Sequence, residues 1–292
     1  MAWSSFPFPL CVETKGLSAV HQRERLRHEL AFRRLRVSET SQISAHLRRV
    51  RLVGDDLAGF TAPGPSDHVK LFLPDANGQI IAPLVADDGS LQRPEGTPTT
   101  RDYTPRAVDT DAAGVPVAID IDFVLHEGGP ATEWARRATP GDEIVVAGPR
   151  GSKLAPTAPG RVALVADPSA FPAFVRWVEA LSQPTVIDAV IWNAAAADAE
   201  YFDESVRARL ASLQWVSEAS GDAGLLDAVR SLELAEGAFV WAAGEAQALI
   251  AVRRLLREQP QLDRADIDVS GYWKRGVIAL DHHAPLDPSD PE

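Results

Sequence analysis

Three short patterns between Arg101 and Ser152 combine residue types that bind cofactors. They are Arg101-Asp102-Tyr103-Thr104-Pro105-Arg106, Asp122-Phe123-Val124-Leu125-His126 and Gly128-Gly129-Pro130-Ala131-Thr132-Glu133-Trp134. In the first, an aromatic ring and a hydroxyl are adjacent between two arginines. A tyrosine face suits a planar heteroaromatic ring, and the Thr104 hydroxyl suits a hydrogen bond to a reactive ring nitrogen. Arg101 suits a pyrophosphate, where each charge-assisted bond contributes about 1.5–3 kcal/mol when well placed. Backbone groups from Phe123 through Val124 to His126 would line the ring and its sugar chain. Gly129, Ala131 and Thr132 open a helix whose free N–H groups and dipole favour a second phosphate, with Thr132 adding a hydroxyl donor. In this order the patterns read as a cradle for a flavin dinucleotide. Each alone has a plainer reading: Tyr103 and Thr104 as a strand surface pair, and Thr132-Glu133-Trp134 as an ordinary helix start.

Composition narrows the alternatives. A chain of 292 residues, 45% hydrophobic and 24% charged, suits two domains or one large one with an ample core. The formal net charge of -12 argues against nucleic acid or an anionic membrane as partner, so an anionic cofactor needs locally placed arginines. No charged start leads into an apolar run and no stretch has the length of a membrane span, so no stable membrane insertion and a cytoplasmic location are expected. The single cysteine, Cys11, excludes an intramolecular disulfide and a cluster held by several cysteines. Redox chemistry then requires an organic cofactor. No metal site is expected, because His126-Glu127 runs into Gly-Gly-Pro and His282-His283 sits in a Pro/Asp-rich tail. No two glycines are separated by one residue, so the G-x-G-x-x-G fingerprint is absent and the dinucleotide needs a barrel-type site.

The elements that must position these residues fall into two grammars. From about His28 to Phe60, and over Val69 to Leu73, short β-type runs alternate with Gly, Asp and Pro clusters, which predicts a small antiparallel barrel. Val115 to Leu125 alternates apolar residues with Asp120 and Asp122, the period of a strand with one buried face. Glu143 to Ala147 is a second such strand, Pro74 to Gly78 a turn and Asp87 to Thr100 a polar loop. After the proline-rich break at Pro156-Thr157-Ala158-Pro159-Gly160 strands and helices alternate. Strands are expected at Arg161–Ala166, Val186–Trp192 and Phe239–Ala243. Helices are expected at Phe171–Leu181, Asp203–Leu213, Leu225–Leu232 and, following Gly244-Glu245, on to Glu258, the last with Arg253, Arg254 and Arg257 on its wet face. The predicted organisation is an N-terminal extension (1–26), a six-stranded antiparallel flavin-binding barrel (27–155), a parallel-sheet α/β domain (160–280) and a flexible tail (281–292).

From about His28 to Gly276 the chain resembles the siderophore-interacting proteins, a branch of the ferredoxin-NADP reductase superfamily that reduces ferric siderophores. The resemblance rests on Asp67-His68-Val69-Lys70-Leu71, the three patterns above, Pro140-Gly141-Asp142 and Gly148-Pro149-Arg150-Gly151-Ser152. It continues through Trp241-Ala242-Ala243-Gly244-Glu245 and Ser270-Gly271-Tyr272-Trp273-Lys274. It implies FAD on Arg101, Tyr103, Thr104, Phe123, Val124, Gly129, Ala131 and Thr132. Trp134 and Trp273 would stack on part of the FAD or serve as interface core, and His126 would touch the flavin or make a structural hydrogen bond. Lys70, Arg150 and Lys274 would form a basic rim for the ferric siderophore.

The implied reaction is hydride transfer from NADH or NADPH to FAD, then single electrons to ferric iron, with no side-chain acid, base or nucleophile and with a monomer as the working unit. Where the family shows an acidic-Thr pair, this chain has Asp167-Pro168-Ser169-Ala170-Phe171-Pro172, and Trp215-Val216-Ser217-Glu218 lacks the basic residue that follows this tryptophan in relatives. The loop Asn193 to Asp198 carries no cation to pair with the extra phosphate of NADPH, which favours NADH, and a ferredoxin donor is an alternative. Two other functions stay open: a flavin reductase of the same superfamily with a different acceptor, and a non-catalytic module that binds flavin or a chelate.

Overall fold

The computed structural model describes residues 21–85, 90–280 and 284–290. Cys11, most of the N-terminal extension, part of the polar loop and His282-His283 lie outside the described residues. The first half contains β1 (Arg25–Arg27), β2 (Phe32–Gln42), β3 (Leu47–Val53), β4 (Val69–Leu73), β5 (Leu84–Val85), β6 (Leu91–Gln92), β7 (Thr99–Tyr103), β8 (Pro105–Thr110), β9 (Pro116–Val124), helix α1 (Pro130–Arg137), β10 (Glu143–Ala147) and β11 (Gly151–Lys153). Seven strands form one antiparallel sheet in the order β7-β4-β10-β2-β3-β9-β8, with β1-β11 and β5-β6 as separate ribbons. Apolar side chains from alternate positions, among them Leu35, Val50, Leu71, Ile121 and Ile144, fill its concave face.

The sheet has seven strands where six were expected, because the pattern from Arg101 to Arg106 is two strands. Strands β7 and β8 are the two edges of the sheet, and only Thr104 separates them along the chain. Two peptide units span at most about 7.6 Å, so the sheet is curled until its edges nearly meet there. The barrel is closed at this seam by covalent chain rather than by a strand ladder.

Strand β9 also departs from expectation, since both of its faces are buried. Asp120 and Asp122 stand opposite Arg51 and Arg49 of β3 in register. Arg49 donates two hydrogen bonds to Asp122, at 2.7 and 2.8 Å. The charges are covered by the second domain, whose Tyr201 hydroxyl donates to the same Asp122 carboxylate at 2.5 Å.

That domain contains β12 (Arg161–Ala166), α2 (Phe171–Ala180), β13 (Val186–Trp192), α3 (Glu204–Arg209), β14 (Leu210–Val216), α4 (Gly221–Arg230), β15 (Ala238–Glu245), α5 (Ala246–Arg257) and β16 (Ile267–Trp273). Its five strands run parallel in the order β14-β13-β12-β15-β16. Strand β15 is buried along its whole length, the mark of a sheet covered on both faces. Phe171, Phe174 and Trp177 of α2 pack on one face, and Leu225 of α4 with Leu249 and Val252 of α5 pack on the other. The helix expected over Asp203–Leu213 ends at Arg209, and its second half is β14. Leu210-Ala-Ser-Leu-Gln-Trp-Val carries apolar residues that suit either period, and pairing with β13 decides it.

Two peripheral segments are fastened to this frame. Arg23 stacks over Trp177 and Phe239, forms an ion pair with Asp268 and donates to the Leu154 carbonyl at 2.6 Å. Arg253, expected on the wet face of α5, is 2% exposed and donates to the Asp290 carbonyl at 2.6 Å. Arg254 and Arg257 pair with Asp287 and Asp290, so the tail supplies the anions that the last turns of α5 require.

Tyr201→Phe removes one hydrogen bond to a buried carboxylate. It should lower the unfolding free energy by about 1.5–3 kcal/mol. Arg49→Ala leaves the Asp122 charge without its cation and should cost more, about 3–5 kcal/mol. Urea unfolding of both variants checks the order, and an equal or reversed cost would reject this reading of the interface.

Candidate flavin site and donor crevice

The three expected patterns converge at the barrel seam. Tyr103, at the end of β7, has its ring 4.5 Å centroid to centroid from that of Phe123 near the end of β9. Phe123 lies 5.6 Å from Trp134 on α1. Phe123 and Trp134 are buried and Tyr103 is half-buried, so Trp134 holds α1 against the barrel from within the core. Burial pushes the Tyr103 phenol far above its usual range, which keeps it protonated. Thr104 is buried, and the phenol of Tyr272 of β16, whose pKa burial raises far above its usual range, lies beside the hydroxyls of Thr104 and Ser66.

Helix α1 begins at Gly129-Pro130, with Gly129 at φ 95° and no side chain capping the N terminus. A Cβ on Gly129 would lie 3.1 Å from Cε1 of His126, so the turn needs glycine for conformation and for space. Thr132 donates to the Val124 carbonyl at 3.2 Å, which ties the first turn of α1 to the end of β9. Its hydroxyl is therefore engaged, and the N–H groups of Ala131 and Thr132 are the uncapped donors. His126 is exposed, with Nδ1 3.1 Å from the Glu127 carbonyl. Arg101 is half-buried and donates to the Thr100 carbonyl at 2.7 Å.

These residues fit the parts of FAD. The seam offers an aromatic ring backed by core and a buried hydroxyl, the uncapped start of α1 offers phosphate donors, and Arg101 offers a cation. Of the expected rim, Lys70 is paired with Asp102 at 2.7 Å. Arg150 is exposed, and Lys274 is half-buried with its backbone bridged to Val277.

Arg176 has a position that sequence reasoning missed. It projects from α2 of the second domain and donates to the carbonyls of Pro105 at 2.5 Å, of Gly64 at 2.9 Å and of Ala62. Its neighbour Trp177 donates to Ser66 at 3.0 Å. A lone arginine within the apolar run Phe171 to Val178 was the available signal. Arg106, the second arginine of the motif, forms an ion pair with Glu179 of α2 at 2.9 Å. Both arginines fix the seam against the neighbouring domain.

Residues 36–153 match the siderophore-interacting FAD-binding domain, and residues 159–276 match the siderophore-interacting protein model. An Escherichia coli (strain K12) protein named NADPH-dependent ferric-chelate reductase is 34% identical over 253 residues, covering 86% of this chain and 96% of that one. The chain belongs to the siderophore-interacting protein family. Among solved structures, a siderophore utilization protein from T. fusca is 36% identical with a TM-score of 0.77, covering 90% of this chain and 100% of that one. The siderophore-interacting protein SipS from Aeromonas hydrophila is 28% identical with a TM-score of 0.67, covering 87% and 94%. The cofactor of the family's barrel domain is FAD. Among the described residues no helix is long and apolar enough to cross a membrane.

In this siderophore-interacting protein the strand order reverses between β12 and β15. That switch point is where open parallel sheets receive nucleotides, outside the carboxyl ends of the strands. Here the position holds Asp167, which is fully buried. Its carboxylate accepts from Ser169 N at 2.9 Å, Ser169 Oγ at 2.5 Å, Glu245 N at 2.9 Å and Trp273 Nε1 at 2.7 Å. Burial outweighs these donors and pushes Asp167 up to about 6. Trp273, expected to stack on FAD or to serve as interface core, thus has its indole N–H committed to this acid.

The raised value makes the folded state hold its proton more tightly than the unfolded chain between about pH 4 and 6. Unfolding free energy should therefore fall as pH rises through that window, by up to about 3 kcal/mol from this group. Asp167→Asn removes the titration. Relative to wild type, the variant should gain about 2–3 kcal/mol between pH 4 and 7 in urea unfolding, and a pH-independent difference would reject the assignment.

Proposed function

We propose that this chain is an FAD-dependent reductase that takes electrons from a nicotinamide nucleotide and delivers them to a ferric siderophore, releasing ferrous iron. The observation that carries the reading is the convergence of Tyr103, buried Thr104 and the uncapped start of α1 at one seam. The family match over both domains supports it, and so does a ferric-chelate reductase as relative over nearly its whole length. Bound FAD supplies the conversion of a two-electron donor into single-electron steps. Tyr103 orients the ring plane, Thr104 presents its hydroxyl to the ring edge, and Arg101 with the Ala131 and Thr132 N–H groups holds the diphosphate. Phe123 and Trp134 keep these groups in place from behind.

Iron is the substrate. On reduction it loses its preference for the hard oxygen ligands of a siderophore and leaves more readily. Arg150 and Lys274 attract the anionic chelate, and Lys70 joins them when it exchanges Asp102 for the chelate. The protein works as a monomer in the cytoplasm, where its nicotinamide donor is made. The cation-free loop 193–198 supports NADH, while the Escherichia coli relative is named for NADPH. A ferredoxin donor is the second reading, favoured by the filled crevice at Asp167, because a protein donor needs no nucleotide site.

Purified protein should carry flavin absorbance, bleach anaerobically with NADH or NADPH, and recover colour with a ferric chelate while a ferrous trap develops. Arg101→Ala should weaken FAD binding by about 10- to 100-fold. Lys274→Ala should retain FAD and slow chelate reduction several-fold. Protein that cannot bind FAD would sink the reading, and equal flavin loss in both variants would reject the division of roles.

A further inference from the structure

The segment from Trp273 to Arg275 lies across the donor crevice and is pinned at both ends. Strand β16 is not a neighbour of β12, because β15 lies between them. A bond from Trp273, the last residue of β16, to Asp167 just after β12 must therefore pass over the carboxyl end of β15. The indole does so with a 2.7 Å hydrogen bond. Two residues on, the backbone N–H of Arg275 donates to Glu245 Oε1 at 3.0 Å. Glu245 is itself 5% exposed.

The same two acids occupy the groups that a diphosphate would use. Glu245 accepts from Ala248 N at 2.8 Å and so caps α5. Asp167 caps the turn that leads into α2. The start of α5 and the turn that leads into α2 are thus each closed by one of the chain's own carboxylates, where a nucleotide's diphosphate needs free N–H groups. The floor is equally full. A Cβ on Gly244 would lie 2.5 Å from Asp167 Cγ and 2.7 Å from Cη2 of Trp192.

We propose that Trp273 and Asp167 form a latch that holds the donor crevice shut, and that a nicotinamide nucleotide gains the crevice only when the indole leaves Asp167. The inference rests on the nicotinamide-donor reading above. Asp167 is a positioning residue here: it acts through Trp273 and touches no reacting atom. The latch lowers apparent donor affinity by the fraction of molecules that are open. Lys274 lies between the two pinned residues, so opening also moves the cation proposed for the chelate. Donor and chelate then compete for two states of one strap.

The test uses FAD-loaded full-length protein and two variants. Asp167→Asn keeps the shape and puts a neutral amide in place of the carboxylate: with its N–H groups turned to Trp273 the bond is broken, and with them turned to Ser169 the indole keeps only a neutral acceptor, so the latch is weakened in either orientation. Trp273→Phe removes the donor and leaves both acids untouched. Binding of NADP+ and NAD+ to the oxidised proteins is measured by calorimetry, and anaerobic flavin bleaching by NADPH and NADH is followed by stopped flow. The expected result is about tenfold tighter binding, and a correspondingly lower half-saturating concentration for bleaching, in both variants for the nucleotide that wild type uses. Unchanged or weaker nucleotide binding in both variants, with bleaching intact, overturns the latch alone. If no nucleotide bleaches any of the three proteins while dithionite-reduced wild type still reduces ferric citrate, the nicotinamide donor is rejected and the latch falls with it.

Discussion

The candidate flavin site depends on one constraint, the passage of the chain from one edge of the barrel to the other through the single residue Thr104. Strands β7 and β8 are edges of the sheet rather than neighbours in it, so no ladder of backbone bonds closes the seam. The one-residue covalent link is braced by groups from outside the barrel. Arg176 of α2 takes the carbonyls of Pro105, Ala62 and Gly64, its neighbour Trp177 donates to Ser66, and Tyr272 of β16 lies beside Thr104. A sheet edge left unpaired normally invites foreign strands. Here the opening is converted into a site, with an aromatic residue and a hydroxyl on its lip and the second domain as its clasp. The candidate cradle is thus a property of the assembled chain rather than of residues 36–153 alone.

The same dependence explains why so much charge is buried between the domains. Tyr201 on Asp122, a carboxylate that Arg49 holds from within the barrel, and Asp198 on Ser44 are polar links across the interface. Buried polar links of this kind add modest net stability, because desolvation of the carboxylates offsets much of the attraction. What they do add is orientation: each bond is satisfied at one docking angle only. An apolar interface of equal area would tolerate sliding, and sliding would displace Arg176 and Tyr272 from the seam.

Much of this was legible in the residues, and the parts that were not share a cause. The barrel, the parallel sheet and the convergence of Tyr103, Phe123 and the Gly129 turn follow from local patterns, because periodicity and turn chemistry act over a few residues. Strand β14 was hidden, since Leu210 to Val216 satisfies two periods and only its neighbour β13 decides between them. Arg253 read as a solvent-facing helix residue because its partner, Asp290, lies 37 positions away. Asp167 read as a departure from a family pattern, and its meaning needed Trp273, 106 positions further on. Long-range pairing of polar groups leaves no periodic trace in a single chain.

The acidity of the chain bears on the proposed anionic chelate less than its size suggests. A formal charge of -12 would repel a chelate at long range. At physiological ionic strength, however, such fields decay over about 8 Å. Many of the acids are also spent internally, as Asp120 and Asp122 are on the β3 arginines and Asp287 and Asp290 are on α5. What the chelate meets on arrival is the local rim, and there the partnering of individual cations matters more than their number. Lys70 is neutralised by Asp102, and Lys274 is carried on a segment pinned by two acids. On the proposed rim the attraction would therefore follow the position of that segment, so that a change in backbone position, without any change in charge, would alter what a chelate meets.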